Sequence, residues 1–396
     1  MSDFIKISKG FSKLGRRYLF VGMTAIAGTT MIGTPLLAAD PVKVAVLVPD
    51  SGAAGLFGPS TRNAATLAAE QINARGGIAG SQIELVFADA GLSPADVVGS
   101  VVRLVRQDKV SAIVGMHDSA VRVAVANAVR QQVPYIYTPV YEGGECAAGV
   151  YVLGETPQQQ LATVIPWLSN KKDLKKWYLI GNDYNWPRNT NDQAKGYIAK
   201  AGGTVVGEEY LSFDVSNFDA SIRNIQASGA DTVLITLVGG ASVGFNVAFA
   251  QFGLADDVVR LGTLIEENTL AGIGAANAMN LYSSSGYFAS NDSAANKRFT
   301  ADYVARFGAD AAQLNSLGES AYEGLLFLEA AGNRAGSLDF AAFDKVANGT
   351  SFNGPSGAVK MANRHVNQSI YLANGTGGTF SVEMEFKNVA SGETCM

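Results

Sequence analysis

Charged residues make up only 16% of this sequence, and histidine and cysteine are nearly absent, with two of each. The chain carries 30 basic and 35 acidic residues, for a net charge of −5. It therefore lacks the basic surface that a nucleic-acid partner usually requires. Two histidines cannot build a zinc shell unaided, and the two cysteines do not form a CxxC pair. We expect no metal, no cofactor and no nucleic-acid partner.

Motifs of nucleotide and acyl-transfer enzymes are missing or incomplete. No GxxxxGK[ST] segment is present, so a P-loop is absent. Gly240-Ala-Ser242-Val-Gly244 matches the nucleophile pattern G-x-S-x-G between a predicted strand and a predicted helix. A triad would also need a downstream acid and histidine, and His365 is the only histidine that follows. A serine hydrolase using Ser242 is thus a remote alternative, and we predict that the protein is not an enzyme.

Residues 1–39 are predicted to be a cleaved signal peptide. A basic head is followed by the uncharged segment Val21–Gly33 and by small residues ending at Ala39. The apolar run is shorter than the ~20 residues of a spanning helix, which disfavours a membrane anchor. The mature chain would begin near Asp40 in the periplasm. Arg16-Arg17 leaves both the general secretory route and the twin-arginine route open.

The two cysteines, Cys146 and Cys395, lie in the exported part of the chain. In an oxidising compartment they could pair. Spacing alone does not show that their Cα atoms come close enough for a disulfide. No segment after the leader is apolar enough to span a bilayer, so the mature protein is expected to be free in that compartment.

After the leader, strand and helix patterns alternate in two successive sets. Apolar runs such as Lys43–Pro49 and Thr232–Leu237 predict buried parallel strands. The segments between such runs have helical periodicity, and one of them predicts a helix over Gln158–Leu168. Strong helices and a Gly/Asn-rich antiparallel ending from Gly357 onward complete the chain. The fold class predicted is α/β, with two doubly wound Rossmann-like lobes.

Polar side chains follow several predicted strands. Open α/β sheets bind ligands at the carboxyl ends of their strands, where helix N-termini point amides inward. Ser119 follows one such strand, either as a helix N-cap or as a ligand contact. Further candidates at strand ends, well suited to enclose a small amphipathic solute, are Tyr137, Thr138, Tyr141, Asp183 and Tyr184.

Several segments resemble type I periplasmic solute-binding proteins, the group that includes leucine/isoleucine/valine-binding proteins. The opening lobe of that family is matched by Ala68–Asn73 and Gly76–Gly80. The branch of urea-binding components and amide-sensing regulators is matched by three further segments. These are Tyr141–Cys146, Thr156–Gln160 and Gly181–Arg188.

The resemblance implies two lobes joined by three crossovers that close on a ligand. It implies lobe 1 from residues 40–156 and 286–354, and lobe 2 from 157–285 and 355–396. Ser119 and Tyr137 would then contact the ligand from one lobe, and Tyr184, with Asp183, from the other. Glu266 or Glu267 falls where amino-acid-binding relatives keep an acid for the ligand ammonium.

The function implied is that of the substrate-binding component of an ABC importer, with the membrane permease subunits as partners. The ligand implied is a small polar nitrogen compound: urea, a short amide or an amino acid. The alternative is a cytoplasmic amide-sensing regulator, against which the leader argues. Adjacent glutamates on a loop are expected to be solvated, so Glu266 and Glu267 favour a neutral ligand. The sequence departs from the amide sensor at His117-Asp118-Ser119, which leaves the ligand open.

Overall fold

The computed structural model describes residues 40–395 of the chain. The predicted signal peptide, residues 1–39, lies outside the described residues. Among those described, no helix has the length and the hydropathy that crossing a membrane would require.

Runs rich in valine, isoleucine and leucine form the central strands, and helices cover these strands on both sides. All five residues of Thr232–Thr236, for example, are buried. The strands are β1 (Val42–Val48), β2 (Ile83–Asp89), β3 (Ala112–Gly115), β4 (Tyr135–Tyr137), β5 (Val150–Val152), β6 (Lys176–Asn182), β7 (Thr204–Leu211), β8 (Thr232–Thr236), β9 (Val259–Gly262), β10 (Leu281–Ser285), β11 (Ser351–Gly354), β12 (Gly357–Ala362), β13 (His365–Asn374) and β14 (Ser381–Val389).

Many helices begin at side chains that cap their free amides. Ser93 and Ser293 each accept an amide of the helix that follows, and Thr156 with Gln159 forms a capping box. The helices are α1 (Gly58–Ala74), α2 (Pro94–Arg106), α3 (Ser119–Val129), α4 (Pro157–Gln160), α5 (Val164–Lys172), α6 (Asn185–Lys200), α7 (Asp219–Ser228), α8 (Gly239–Gln251), α9 (Glu267–Ile273), α10 (Ala294–Phe307), α11 (Ser316–Ala335) and α12 (Phe340–Ala347).

Two parallel sheets share one strand order. The first runs β2-β1-β3-β4-β5, and the second repeats it as β7-β6-β8-β9-β10. The order reverses between β1 and β3 and between β6 and β8, which are the switch points where such sheets bind ligands. The predicted fold class, two doubly wound α/β lobes, is confirmed. We call the parts built on these sheets the first lobe and the second lobe.

One strand, β13, belongs to both sheets. It pairs in parallel with β5 at His365, and antiparallel with β10 over Tyr371–Asn374. The antiparallel ending predicted from the sequence is present, because β14 also pairs antiparallel with β13. The predicted boundary at Gly354–Pro355 falls in the turn of the β11–β12 hairpin, whose second strand pairs with the start of β13. The domain ranges stay a prediction.

Each sheet buries apolar side chains on both faces. In the first lobe, α1, α10, α11 and α12 cover one face, and α2 and α3 cover the other. In the second lobe, α7, α8 and α9 cover one face, and α5 and α6 cover the other. A separate apolar cluster lies between the lobes and contains Phe57, Met116, Val140, Trp186, Val238 and Leu317.

The structure differs from the sequence prediction in several places. The predicted helix Gln158–Leu168 is two helices, α4 and α5, and Gln160 at the break donates its amide to the carbonyls of two other segments. Strands β9 and β10 were not predicted, because β9 contains Arg260 and β10 ends in three serines. Two of these hydroxyls, on Ser283 and Ser284, donate to backbone carbonyls inside the core, so they can be buried.

Candidate functional site

Ser119 lies where the chain turns from β3 into α3. The N-cap of α3 is Asp118, whose carboxylate accepts the amide of Val121 over 2.9 Å, so Ser119 is not the cap. Ser119 is buried and donates its hydroxyl to Glu142 over 2.5 Å. The hydroxyl predicted to reach a ligand is thus bonded to a neighbouring carboxylate.

Three predicted residues lie at or just after the end of β4, and all are buried. Tyr137 donates its hydroxyl to the backbone carbonyl of His117 over 2.8 Å. Thr138 follows directly. The Tyr141 hydroxyl is hydrogen-bonded to the imidazole Nε2 of His365. Tyr137 therefore fixes the turn after β3, whereas Tyr141 is engaged with β13.

A buried charge cluster lies behind this wall and joins the lobes. Arg122 contacts the Glu142 carboxylate at 2.8 Å and the Glu145 carboxylate at 3.4 Å. From the second lobe, Asn185 donates its side-chain amide to the Glu142 carboxylate over 2.8 Å. Gln193, also in α6, donates to the Glu142 backbone carbonyl over 2.7 Å. Glu142 is therefore a point of contact between the two lobes.

In the second lobe, Tyr184 immediately precedes α6 and is half-buried. Its ring centroid lies 5.0 Å from that of Phe213 and 6.1 Å from that of Trp186. Asp183 is different: its side chain is 52% exposed and pairs with Arg188 at 2.7 Å. An exposed carboxylate keeps its hydration in this arrangement, and the structure does not bring Asp183 to the cavity that Tyr184 lines.

Side chains of both lobes line one cavity, which we call the inner cavity. Ser119, Tyr137 and Tyr184 all line it, as predicted together from the sequence. The rest of its wall is mostly apolar. It consists of Ala54, Phe57, Met116, His117, Asp118, Pro139, Val140, Trp186, Val238, Leu264 and Leu317. Aromatic and aliphatic walls with a few polar side chains are typical of small-molecule sites.

The apolar wall was missed by the sequence analysis. Met116, Val238 and Leu264 each follow the end of a parallel strand within two residues. The signal that identified Tyr137, its position at the carboxyl end of a strand, could have identified them as well. Apolar residues at the ends of strands also occur in ordinary hydrophobic cores. Residue type therefore did not distinguish a residue of the cavity wall from a residue of the core.

A second opening, which we call the outer cleft, adjoins the inner cavity. The two share Ala54, Asp118, Tyr184 and Val238. The outer cleft adds Phe213 and Asp214 from the second lobe. Among the residues that line either space in the described part of the chain, none is a lysine or an arginine. The ionisable side chains at the cleft are therefore acidic, apart from one histidine.

That histidine, His117, does not supply a positive charge. Burial lowers its pKa to about 4, so the imidazole is neutral at pH 7. Burial also raises the pKa of Asp118, while the amides of Val121 and Ala120 act in the opposite direction. A cation bound beside Asp118 would favour its ionised form.

The glutamate pair is not solvated, so the sequence expectation was wrong on this point. Glu266 is buried and caps α9, and its two carboxylate oxygens accept the amides of Asn268 and Thr269, each over 2.7 Å. Glu267 is buried and accepts the amide of Ala289 over 2.6 Å. Burial and the neighbouring Glu266 raise the pKa of Glu267 to about 8. Backbone amides thus replace the lost hydration of both Glu266 oxygens, whereas only one oxygen of Glu267 accepts a hydrogen bond.

A smaller cavity lies beside the inner cavity and shares Val140 and Leu317 with it. Its wall contains the predicted residues Thr138 and Glu266, together with Glu155. Neither Glu266 nor Glu267 lines the inner cavity itself.

Ser242 does not occupy a nucleophile elbow. It lies inside α8 and is fully buried, whereas an elbow presents its serine at an exposed sharp turn. His365 is bonded to Tyr141 and to the carbonyl of Asn363 rather than to Ser242. The residues of a triad are not assembled around Ser242.

Cys146 and Cys395 form a disulfide, with their Cα atoms 5.2 Å apart. With Glu393 they make up the one set of three potential metal-ligand residues that lie close together within residues 40–395. Sulfurs in a disulfide are not thiolate ligands, so this set does not offer a metal site in its oxidised form.

Comparison with known proteins places this geometry in a family. The family model for periplasmic binding proteins matches residues 41–379. An amino acid binding protein of Pseudomonas aeruginosa is 30% identical over 218 residues, which cover 54% of this chain and 58% of that protein. Leu/Ile/Val-binding protein homolog 6 of Brucella melitensis is 26% identical over 365 residues, 89% of this chain and 92% of that protein. This chain thus spans little more than half of the first relative and most of the second.

A solved structure agrees with the fold. The solute-binding protein of an ABC transporter from R. palustris, in complex with 4-hydroxybenzoate, has a TM-score of 0.81 and 23% identity, covering 89% of this chain and 99% of that one. Since the matching proteins are binding proteins, the prediction that this protein is not an enzyme is confirmed. The resemblance to urea-binding and amide-sensing proteins stays a prediction. The family resemblance itself is confirmed, and the chain belongs to the periplasmic binding protein family.

Proposed function

We propose that the protein is the substrate-binding component of an ABC importer and takes a small molecule into the inner cavity as its lobes close. One observation carries this proposal: Ser119 and Tyr137 from the first lobe and Tyr184 from the second line the same cavity. A ligand that touches both lobes binds the closed arrangement better than the open one, so it shifts the population toward closure. The closed form would then be presented to the membrane permease subunits.

The ligand has an apolar or aromatic body. Most of the cavity wall is aliphatic or aromatic, including Phe57, Trp186 and Leu264, and such a wall gains little from a fully polar molecule. Urea, one of the ligands suggested by the sequence, has no apolar surface to bury there. An amino acid with an apolar side chain and a small aromatic compound both have such a surface. The relatives named for leucine, isoleucine and valine and the neighbour solved with 4-hydroxybenzoate agree with this choice.

Export to the periplasm belongs to the same proposal. It is supported by the basic, apolar and small-residue segments of residues 1–39 and by the family to which the chain belongs. N-terminal sequencing of the abundant cellular form should find a start near Asp40. A start at Met1 on that form, recovered from the cytoplasm, would instead favour a sensing role.

The ligand can be found with a thermal-shift screen of apolar amino acids, aromatic acids and amines, short amides and urea. A ligand present at a hundred times its dissociation constant stabilises the folded protein by about 2.7 kcal/mol, which is a visible shift. Tyr184→Ala should weaken the best compound at least tenfold in calorimetry. Tyr210→Ala is a matched control, because Tyr210 is also a half-buried tyrosine of the second lobe but lines neither cavity nor cleft. Equal affinity in Tyr184→Ala and the wild type would remove the inner cavity as the binding site.

A further inference from the structure

Asp118 occupies a position that the proposed function leaves unexplained. It lines both the inner cavity and the outer cleft, so a molecule passing from one to the other meets its side chain. Its carboxylate also caps α3 by accepting the amide of Val121 over 2.9 Å. The sequence had marked this residue as a departure from the amide-sensing proteins that it resembles.

The cap has a direct consequence for ligand charge. The amino end of a helix attracts anions, because its free amides and the helix dipole favour negative charge. In α3 that place is already taken by the Asp118 carboxylate. A ligand carboxylate placed there would lie beside a second negative charge in a space with little water, where like charges repel strongly.

Among the described residues, no lysine or arginine lines either space to offset this negative charge. The residues that line the inner cavity and the outer cleft include Asp118 and Asp214. Arg122, a buried cation behind the wall, lies over the Tyr137 ring and is already paired with Glu142 and Glu145. The field at the cleft is therefore negative.

The walls favour a cation in a second way. Tyr184 and Trp186 line the same cavity as Asp118, and aromatic faces attract cations. A carboxylate next to aromatic rings is the combination that holds an amine with an apolar body, through a charge-assisted hydrogen bond and ring contact together.

We propose that Asp118 determines specificity, selecting ligands with a positively charged nitrogen on an apolar or aromatic body and rejecting carboxylates that lack one. This inference rests on the proposed function, since it concerns the ligand of the same cavity. It separates this protein from the neighbour of known structure that holds 4-hydroxybenzoate, an aromatic anion.

The test keeps the apolar body constant and changes the charge. Phenethylamine, phenylalanine and 3-phenylpropionate share a phenyl ring and a short chain. The first is a cation, the second carries both charges, and the third is an anion. In calorimetry, the wild type should bind the amine and the amino acid. Its affinity for the anion should be at least tenfold weaker than its affinity for the amine. The aliphatic series isopentylamine, leucine and 4-methylpentanoate tests whether the preference depends on the ring.

The variant Asp118→Asn removes the charge and keeps an N-cap side chain, because asparagine caps helices about as well as aspartate. Its affinity for the cation-bearing member of each series should fall at least tenfold, while the anionic member should gain. Asp339→Asn is the control, because Asp339 is also an N-cap aspartate of the first lobe, at α12, and lines neither the inner cavity nor the outer cleft. This variant should change affinity less than threefold. Unfolding temperatures of both variants without ligand check that the fold is intact.

Two results would overturn the inference. One is wild-type affinity for 3-phenylpropionate or 4-hydroxybenzoate equal to or above that for the amines. The other is an unchanged amine affinity in Asp118→Asn. If one of these anions bound the wild type well and bound Tyr184→Ala more weakly, the proposed function would stand and only the role of Asp118 would be rejected. An affinity that is the same in Tyr184→Ala and in the wild type would overturn both the proposed function and the role of Asp118.

Discussion

Asn185 of the second lobe donates its side-chain amide to the Glu142 carboxylate of the first lobe over 2.8 Å. The same carboxylate accepts the Ser119 hydroxyl and pairs with Arg122. A residue that lines the inner cavity, Ser119, is thus linked through one buried acid to the contact between the lobes. The Glu142 carboxylate therefore connects the wall of the inner cavity to the contact between the lobes.

The first prediction concerns that contact. Asn185→Ala should weaken ligand binding roughly tenfold, because a hydrogen bond to a charged group contributes about 1.5–3 kcal/mol and this one joins the two lobes only when they are together. Asn189→Ala is the control, since Asn189 lies on the same helix and is exposed. Calorimetry with the ligand from the screen measures both. Equal losses in the two variants would count against a closing role.

The second prediction concerns Gly239, the first residue of α8. Its φ is +53°, and a Cβ at this position would lie 2.2 Å from the backbone oxygen of Ala53 in the first lobe. Gly239→Ala should therefore hold the lobes apart and weaken ligand binding at least tenfold, in addition to a backbone cost of about 1 kcal/mol. At the next position, Gly240, an added Cβ meets no atom within 4 Å, so Gly240→Ala is the matched control.

Small-angle X-ray scattering with saturating ligand gives an independent measure of the same effect. Gly239→Ala should stay more extended than the wild type, and Gly240→Ala should match it. Compaction of Gly239→Ala to the wild-type radius of gyration, with wild-type affinity, would show that the lobes tolerate the methyl group.

The sequence was sufficient to predict the two lobes and part of the lining of the inner cavity. Continuous apolar strands and strand-end positions identified Ser119, Tyr137 and Tyr184 without any tertiary information. The burial of Glu266 could not be predicted in this way. Its carboxylate oxygens accept hydrogen bonds from amides of α9, a short helix that was not predicted. The apolar wall was missed for another reason: Leu264 differs from a core leucine only in facing a space that two lobes enclose.

The third prediction concerns the disulfide. Cys146 and Cys395 are separated by 249 residues, and a bond across so long a loop restricts the unfolded chain. The double variant Cys146→Ser/Cys395→Ser should lose about 2–4 kcal/mol of unfolding free energy, measured by urea denaturation. A reductant should destabilise the wild type to a similar degree and leave the double variant unchanged. Sensitivity of the double variant to the reductant would point to another cause.

The fourth prediction concerns pH. The pKa of Glu267 is raised from 4.5 to about 8 in the folded protein, so the folded state holds this proton more tightly than the unfolded state does. The resulting stability is fully present below about pH 4.5 and is lost as the pH rises toward 8. Glu267→Gln should flatten the decline of unfolding free energy between pH 5 and pH 9. Glu84→Gln, at an exposed position of β2, should keep the wild-type slope.

The sharing of β13 between the sheets affects how the chain can fold as it is made. The second sheet cannot gain the pairing of Tyr371–Asn374 with β10, nor the first the pairing of His365 with β5, until residues near the end of the chain have been synthesised. Neither lobe can therefore complete its sheet while the remainder is still being translated. We expect the nascent chain to stay incompletely folded until synthesis is nearly finished, a condition in which a chain can still be threaded through a narrow translocation channel.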